Sequence, residues 1–250
     1  MNSATARRLL RLNLEFYDAF AVEFAASRRV LQPGIVRAVH GLGRFKSLLD
    51  VGCGDGRVGR ALATGLLEHK VRQYLGVDFS RKLIERFAAA GIELPEGFAA
   101  LARDLTSSSW VRTAATMSPG FDAAVCFSVV HHIPGERRRA RLLSDIRSLL
   151  RPRARCVISV WQFLSVPRLR RKIADWSEVG LSAADVDADD YLIDWRRGGR
   201  GLRYVHHFDE AELIEACRRA GFRVRETYRT DGETGAMGLY VMLDRAKIPS

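Results

Sequence analysis

Paired cysteines, lysine and long apolar runs are what this sequence has least of. The four cysteines, Cys53, Cys126, Cys156 and Cys217, are scattered and never spaced C-x-x-C. That argues against a zinc site and a disulfide framework, and fits a reducing cytoplasm. No stretch of about 18 apolar residues occurs, so no membrane-spanning helix is expected. The N-terminal MNSATARRLLRLNLEF is basic but has no apolar core leading to a small-residue cleavage site. The expectation is a soluble, unprocessed, cytoplasmic chain with no membrane partner. No internal repeat and no low-complexity segment is present.

Lysine is scarce, but positive charge is not. Lys and Arg together number 40 against 29 Asp and Glu, for a net charge of +11, and only five of the 40 are lysine. The planar arginine fork suits phosphate and carboxylate better than a lysine point charge does. A polyanionic partner is one explanation, and an arginine-rich genomic composition is the other. With 250 residues, 47% of them hydrophobic, the chain can bury one substantial α/β core with a decorated edge. Residues 1–250 are therefore read as one domain, with a helical N-terminal cap over 1–45 and an insertion over 162–203.

Strand and helix signals alternate after residue 45, as an open parallel sheet requires. Strands are predicted at 47–51, 73–78, 98–101, 122–127 and 155–160. In ERRRARLLSDIRSLLRP the residues Leu142, Leu143, Ile146, Leu149 and Leu150 share one helical face, and Pro152 marks the expected end. After residue 161 the alternation breaks into a basic run, an acidic stretch and a glycine turn, with Trp176, Leu181, Tyr191 and Trp195 to bury. Asp209 is placed to cap a helix closed by Gly221, and strands at 222–229 and 238–243 form an antiparallel edge.

Residues 48–60, LLDVGCGDGRVGR, carry the sharpest signal. Leu48, Leu49 and Val51 read as a buried strand, followed at once by Asp50-x-Gly52-x-Gly54-x-Gly56. A helical pattern from Arg57 through Val58, Ala61, Leu62 and Leu66 then aims its N-terminal amides at the turn. A dinucleotide fingerprint is G-x-G-x-x-G and holds a pyrophosphate. Here the spacing is G-x-G-x-G, and an acid stands two residues before the first glycine, where a carboxylate repels phosphate and attracts an ammonium. Asp78 ends the second predicted strand in YLGVDFS, 22 residues after Gly56, placed to accept both ribose hydroxyls of an adenosine; an exposed helix cap is the alternative. Asp104 in ARDL occupies the corresponding place after the third strand, suited to an adenine amino group, with the Leu105 amide for a ring nitrogen.

The glycine spacing resembles motif I of the class I S-adenosylmethionine (SAM) methyltransferases. Residues 121–139, FDAAVCFSVVHHIPGERRR, resemble the fourth motif of many such enzymes, and in particular of the tRNA wobble-uridine carboxymethyl methyltransferases. FYDAFAVEFAASRRVLQPG with Tyr17, Phe24 and Arg28, VISVWQF ending at Trp161, and RYVHHFDEAELIEACRRAGF from Arg203 to Phe222 agree with that family. Two features depart from it: GETGAMGLYVML lacks the Asn-Trp pair of many eukaryotic members, and the insertion differs in length and charge.

The resemblance implies an α/β, Rossmann-like fold with a seven-stranded mostly parallel sheet, an antiparallel C-terminal edge and helices on both faces. It implies SAM as cofactor and no metal, with cofactor contacts from Tyr17, Asp50, Gly52, Cys53, Gly54, Gly56, Asp78, Phe79, Asp104, Leu105 and Ser128. Arg28 is expected to clamp either the cofactor carboxylate or the acceptor carboxylate. His131 or His132 would orient the acceptor, and His206 or His207 would close the pocket. Arg137, Arg138, Arg139 and Arg141 stand at a helix start, against the helix dipole. With Arg168, Arg170, Arg171, Arg196, Arg197, Arg200 and Arg203 they would form a rim for RNA phosphates, while Trp161, Trp195 and Tyr204 could stack a splayed base. The expected partners are tRNA and a small activator protein. Two other readings stay open: an O-methyltransferase of a small-molecule carboxylate or hydroxyl, and a cofactor-binding subunit without chemistry.

Overall fold

Short branched runs ended by glycine turns or acids fold here as strands whose carboxyl ends all meet one crevice. The computed structural model of the protein describes residues 1–28, 30–89 and 91–246. Three helices, α1 (Ser3–Ala19), α2 (Ala21–Ala26) and α3 (Pro33–Gly41), precede β1 (Ser47–Val51). Then follow α4 (Arg57–Ala63), β2 (Gln73–Asp78), α5 (Arg81–Ala88), β3 (Phe98–Ala102), α6 (Ser108–Met117), β4 (Phe121–Phe127), α7 (Glu136–Ser148) and β5 (Leu150–Trp161). Next come α8 (Pro167–Arg170), β6 (Ile173–Ala174), β7 (Asp190–Trp195), β8 (Gly201–His206), α9 (Glu210–Arg219), β9 (Phe222–Thr230) and β10 (Gly238–Arg245).

Seven strands form one sheet in the order β3-β2-β1-β4-β5-β10-β9. Strands β1 to β5 pair in parallel, and β10 runs antiparallel to both β5 and β9. The strand order reverses between β1 and β4, the switch point where open α/β sheets leave a crevice for a ligand. Alternation along β1 feeds both layers of core. Leu49 and Val51 pack with Trp110, Leu142, Ile146 and Leu213 on the α6, α7 and α9 side. Leu48 packs with Ile35, Val39, Leu62 and Phe87 on the α3, α4 and α5 side. Covering helices on both faces explain why the parallel strands read as apolar runs.

Three details differ from the sequence reading. Helix α4 stops at Ala63, and Leu66, expected on its buried face, is 71% exposed. Helix α7 stops at Ser148, so Leu150 and Pro152 belong to β5. The β4–β5 register shifts between Phe121 and Ala123, and Arg153 has a φ of 66°; this irregularity accommodates a proline that cannot donate to the ladder. Within 162–203 the chain makes β6 and β7, which with β8 form a separate antiparallel sheet in the order β6-β7-β8.

Helix α1 joins that small sheet to the crevice. Its buried stripe includes Leu9, Asn13, Phe16 and Tyr17, and one polar residue in the stripe does most of the stitching. The Asn13 amide donates to the carbonyls of His132 and Tyr204 at 3.1 Å each, and its Oδ1 accepts from the Tyr204 amide at 2.7 Å.

Candidate active site

The crevice at the switch point is a cavity of about 300 Å³. Its wall gathers Tyr17, Arg28, Asp50, Gly52, Cys53, Gly54, Asp78, Phe79, Asp104, Leu105, Ser128, His132 and Trp161, residues that lie up to 144 positions apart. The turn after β1 shapes its floor. Gly52 has a φ of 73°, and a Cβ there would lie 2.0 Å from Val129 Cγ2, so only glycine lets the turn close on the strand-four loop. Gly54, at φ 58°, has no atom within 4 Å of where a Cβ would stand. That space is part of the cavity, a cradle in which a ligand can rest directly on the backbone. Gly56 starts α4 with Phe87 packed against it and does not line the cavity.

Asp78 closes β2 with both oxygens anchored. Oδ2 accepts from the Gly54 amide and Oδ1 from the Ser80 amide, each at 2.9 Å. Burial nevertheless pushes its pKa up to about 6, since two amides do not replace the lost hydration. A pair of hydroxyl donors in the cavity would complete its shell. Asp50 lies deeper, accepts from the Tyr74 hydroxyl at 2.7 Å, and is pushed by burial up to about 7. An incoming cation would restore its charge. Asp104 uses Oδ1 in its own turn, accepting from Thr106 N and Oγ1 at 2.8 Å each.

The wall opposite these acids is basic and aromatic. The Arg28 guanidinium sits 3.8 Å from the Phe24 ring centroid and 6.0 Å from that of Trp161. Burial lowers its pKa to about 9, which leaves it charged at neutral pH. Among the described residues it makes no ion pair. Tyr17 hydrogen-bonds His132 Nε2 at 2.9 Å, and His132 Nδ1 lies 3.0 Å from the Tyr204 carbonyl. A carbonyl only accepts, so Nδ1 carries the proton and Nε2 accepts from Tyr17. Burial lowers the His132 pKa to about 3. His132 is thus a neutral imidazole with both nitrogens engaged, and it fixes Tyr17 rather than offering a free base.

Several residues expected at the site lie elsewhere. His131 is fully buried between His132 and Trp161, with neither ring nitrogen hydrogen-bonded among the described residues. His206 is held by Asp190 at 2.8 Å and Glu212 at 2.9 Å. Burial opposes its charge, but these two partners raise its pKa; it ties β8 to β7 and α9 instead of closing the cavity. His207 is half-buried against Phe163. Tyr204 is buried with its hydroxyl 2.6 Å from Asp190, and Trp195 packs on Phe16, so neither presents a free face to a base. Trp161 does border the cavity.

The arginine rim is smaller than the sequence suggested. Arg139 is 4% exposed and turns inward, toward the Ile133 carbonyl at 3.4 Å and the Tyr204 hydroxyl at 3.5 Å. The first turn of α7 is amphipathic, and its third arginine faces the core. Arg203, also 4% exposed, lies within 4.4 to 5.5 Å of the ring centroids of Trp161, Phe16 and Trp195. It does not reach the cavity wall, and its Nε and Nη1 find no partner among the described residues. Arg196 and Arg200 are paired with Asp194 and Glu178. Arg137, Arg138, Arg168, Arg170, Arg171 and Arg197 remain at least partly exposed and make no ion pair among the described residues.

Sequence reasoning missed five polar wall residues: Arg11, Asn13, Asp55, Arg57 and Thr106. Asn13 was signalled by a polar residue in the apolar stripe of α1. Arg57 was signalled by a cation in the first turn of α4, where the dipole disfavours it.

Comparison with known proteins agrees with this architecture. The family model described as a methyltransferase domain matches residues 24–227. An Encephalitozoon cuniculi chain named as a methyltransferase is 27% identical over 232 residues, covering 92% of this chain and 93% of that one. The tRNA (carboxymethyluridine(34)-5-O)-methyltransferase of Xenopus tropicalis is 27% identical over 148 residues, 58% of this chain but only 20% of its own length. Among solved structures, a SAM-dependent methyltransferase from Methanosarcina mazei superposes with a TM-score of 0.63 at 20% identity, covering 86% of this chain and 98% of that one. A chain from the complex of the Haloferax volcanii Trm112 methyltransferase activator with a methyltransferase gives 0.62 at 15% identity, covering 95% and 99%. At these identities the structural likenesses are likenesses of fold. The match over 24–227 assigns the family: the chain belongs to the methyltransferase-domain proteins and is a class I, SAM-dependent methyltransferase.

Proposed function

We propose that the protein transfers the SAM methyl group to the carboxylate of a 5-carboxymethyl-type wobble uridine in tRNA, forming the methyl ester. One observation carries the reading: beside Trp161 the cavity wall has a cation without a carboxylate partner among the described residues, Arg28, with Arg203 behind the ring, and no free base. His132 is neutral and engaged on both nitrogens, while Arg28 and Arg203 stand near Trp161 without ion-pair partners among the described residues. A carboxylate acceptor is already ionised near neutral pH and needs no proton removed. A hydroxyl acceptor would need the base that is missing.

The residues present fit SAM. Its ribose hydroxyls would donate to Asp78, its chain would lie on Gly54, its ammonium would face Asp50, and adenine would extend towards Asp104 and Leu105. When bound, SAM supplies an electrophilic methyl group on sulfur. The protein's contribution is then alignment and a partly desolvated, positive pocket for an anion. Tyr17, locked by His132, packs edge-on against Phe24 and Phe79 with centroids 4.9 and 5.6 Å away, which fixes the wall between cofactor and acceptor. Trp161, half-buried on the cavity wall, stands where a splayed base would enter.

The choice of tRNA is supported by the relatives named for carboxymethyluridine methylation and by the exposed unpaired arginines. A small activator protein is a further proposed partner, given the activator complex among the structural neighbours. Labelled SAM with tRNA lacking the methyl ester tests the reading. Methyl should enter tRNA, with binding that weakens steeply as salt rises. Arg137→Gln with Arg138→Gln should lower tRNA affinity across sequences and flatten the salt slope by about 2, one unit per lost phosphate contact, with SAM affinity unchanged. Methyl transfer to a free carboxylate but not to tRNA would favour a small-molecule substrate.

A further inference from the structure

We propose that the lower end of the β9 edge seats backbone phosphates of the RNA stem whose splayed nucleotide enters the cavity. This rests on the tRNA reading above and places the body of that substrate.

The sheet ends on this side in β9, which pairs with β10 alone. An edge strand offers unpaired backbone groups, and natural sheets guard it with charge and bulges. Strand β9 has both, because Arg225 is the extra residue of a bulge, between Val224 opposite Leu243 and Glu226 opposite Met242. The charge exceeds what a guard needs. Arg155 on β5 and Arg223 on β9 stand opposite Asp244 of β10, in one row across three strands. Arg223 Nη2 lies 2.5 Å and Arg225 Nη1 3.2 Å from the Asp244 carboxylate, with Arg155 Nε at 4.0 Å. One carboxylate, 9% exposed, thus gathers three guanidiniums. It holds them in place without neutralising them, which prepares the cluster for an incoming anion. Arg155 also donates to the Gly41 and Leu42 carbonyls at 3.3 and 3.2 Å, whereas Arg223 and Arg225 keep their forks exposed. Exposed Arg153, two residues before Arg155, adds a fourth cation and makes no ion pair among the described residues, Asp122 being taken by Arg151 at 2.6 Å.

The position of this cluster relative to the cavity suits a duplex. Thr230 at the upper end of β9, Gly238 and Trp161 form another such row, so the top of the edge lies two strand spacings, about 10 Å, from the cavity wall. Arg223 and Arg225 lie about 15 to 25 Å further down the strand. That span is shorter than one duplex turn of about 34 Å, so an RNA with one base in the cavity can lay the adjoining stem on this edge. Planar guanidinium forks pair bidentately with phosphate. A lipid surface is disfavoured: among the described residues the exposed large apolar side chains are Val22, Val30, Leu66, Met117 and Ile173, none of them on β5, β9 or β10.

Salt titrations of RNA binding read this edge directly. With tRNA lacking the ester, Arg223→Gln combined with Arg225→Gln should lower affinity by roughly tenfold and the salt slope by about 2. The same variant should bind a single-stranded oligonucleotide of the loop sequence, and SAM, as wild type does. Arg223→Lys combined with Arg225→Lys keeps the charges and should keep most of the slope. Arg81→Gln combined with Arg86→Gln removes the same charge from exposed positions of α5, which packs on the opposite edge strand β3, and should leave the slope unchanged. An unchanged slope in the β9 variant, an equal loss with the single strand, or an equal loss from the α5 variant would overturn the assignment while methyl transfer to tRNA stood. Loss of binding to phosphatidylglycerol vesicles with tRNA binding intact would overturn it in favour of a lipid partner. A wild type that neither binds nor methylates tRNA would remove the substrate reading along with it.

Discussion

Asp78→Ala weakens SAM binding by roughly 100-fold or more while leaving the chain folded, because two hydroxyl contacts to a carboxylate are lost together. The side chain is buried, and its existing bonds go to the Gly54 and Ser80 amides, so the alanine variant also frees the turn on which the ligand lies. Gly54→Val reaches the same result by another route. Its φ of 58° is strained for a branched residue, and its side chain would occupy the open cradle. The pH dependence has a definite sign. Asp78 titrates near 6 before ligand arrives, and hydroxyl donors favour its ionised form. With Asp50, at about 7, also held ionised by the ammonium, affinity should be level only above about pH 8, fall up to tenfold per pH unit below about pH 7, and up to a hundredfold per unit below about pH 6. Calorimetry from pH 5 to 8 checks both; an Asp78→Ala variant with wild-type affinity would mean the ribose lies elsewhere.

Arg203→Met lowers the rate of methyl transfer by about 100-fold, the cost of losing one preorganised charge in a water-poor site, while SAM affinity changes by less than about threefold. Arg203 lies behind Trp161 and acts as a positioning residue. Its charge helps keep His132 neutral, after burial, and lowers the Tyr17 pKa against burial. Its charge adds, from behind the Trp161 ring, to that of Arg28 on the cavity wall. The same charge is a liability for stability, because Nε and Nη1 are buried without hydrogen-bond partners among the described residues. Each such group costs about 1–3 kcal/mol, and methionine fills a similar volume against Phe16, Trp161 and Trp195. The variant should therefore melt several degrees higher than wild type. A slower and more stable enzyme separates a functional charge from a packing one. An unchanged rate, or a loss of rate matched by loss of stability, would return Arg203 to the core.

The main sheet was legible because its signals are local. Leu48, Leu49 and Val51 had to be a strand before the glycine turn, and Asp78 had to end the next one, whatever surrounded them. The partition of the histidines and arginines was not legible. His131 and His132 are adjacent, yet one is sealed between rings and the other faces the cavity, because a single 3-10 turn over Val130–His132 points them differently. Arg137, Arg138 and Arg139 look alike in sequence. Helical periodicity turns the third inward, where Tyr204 and Glu212 from β8 and α9 receive it. The small sheet of β6, β7 and β8 escaped notice because its strands are short and half-polar, and because Trp195 buries against α1, a partner 179 residues away at Phe16. Arg57 was passed over as the start of a helix, although its charge in that first turn was the same anomaly that drew attention to residues 137–139.

The bond that is formed tests the account most directly. The protein is incubated with methyl-labelled SAM and tRNA lacking the ester, the tRNA is digested, and the labelled nucleoside is treated with mild alkali. A methyl ester releases its label as methanol and leaves the carboxymethyl nucleoside, and transfer should persist at about pH 6 because a carboxylate remains ionised there. A label that stays on the nucleoside through alkali would place the methyl on carbon, ring nitrogen or an ether oxygen and contradict a carboxylate acceptor.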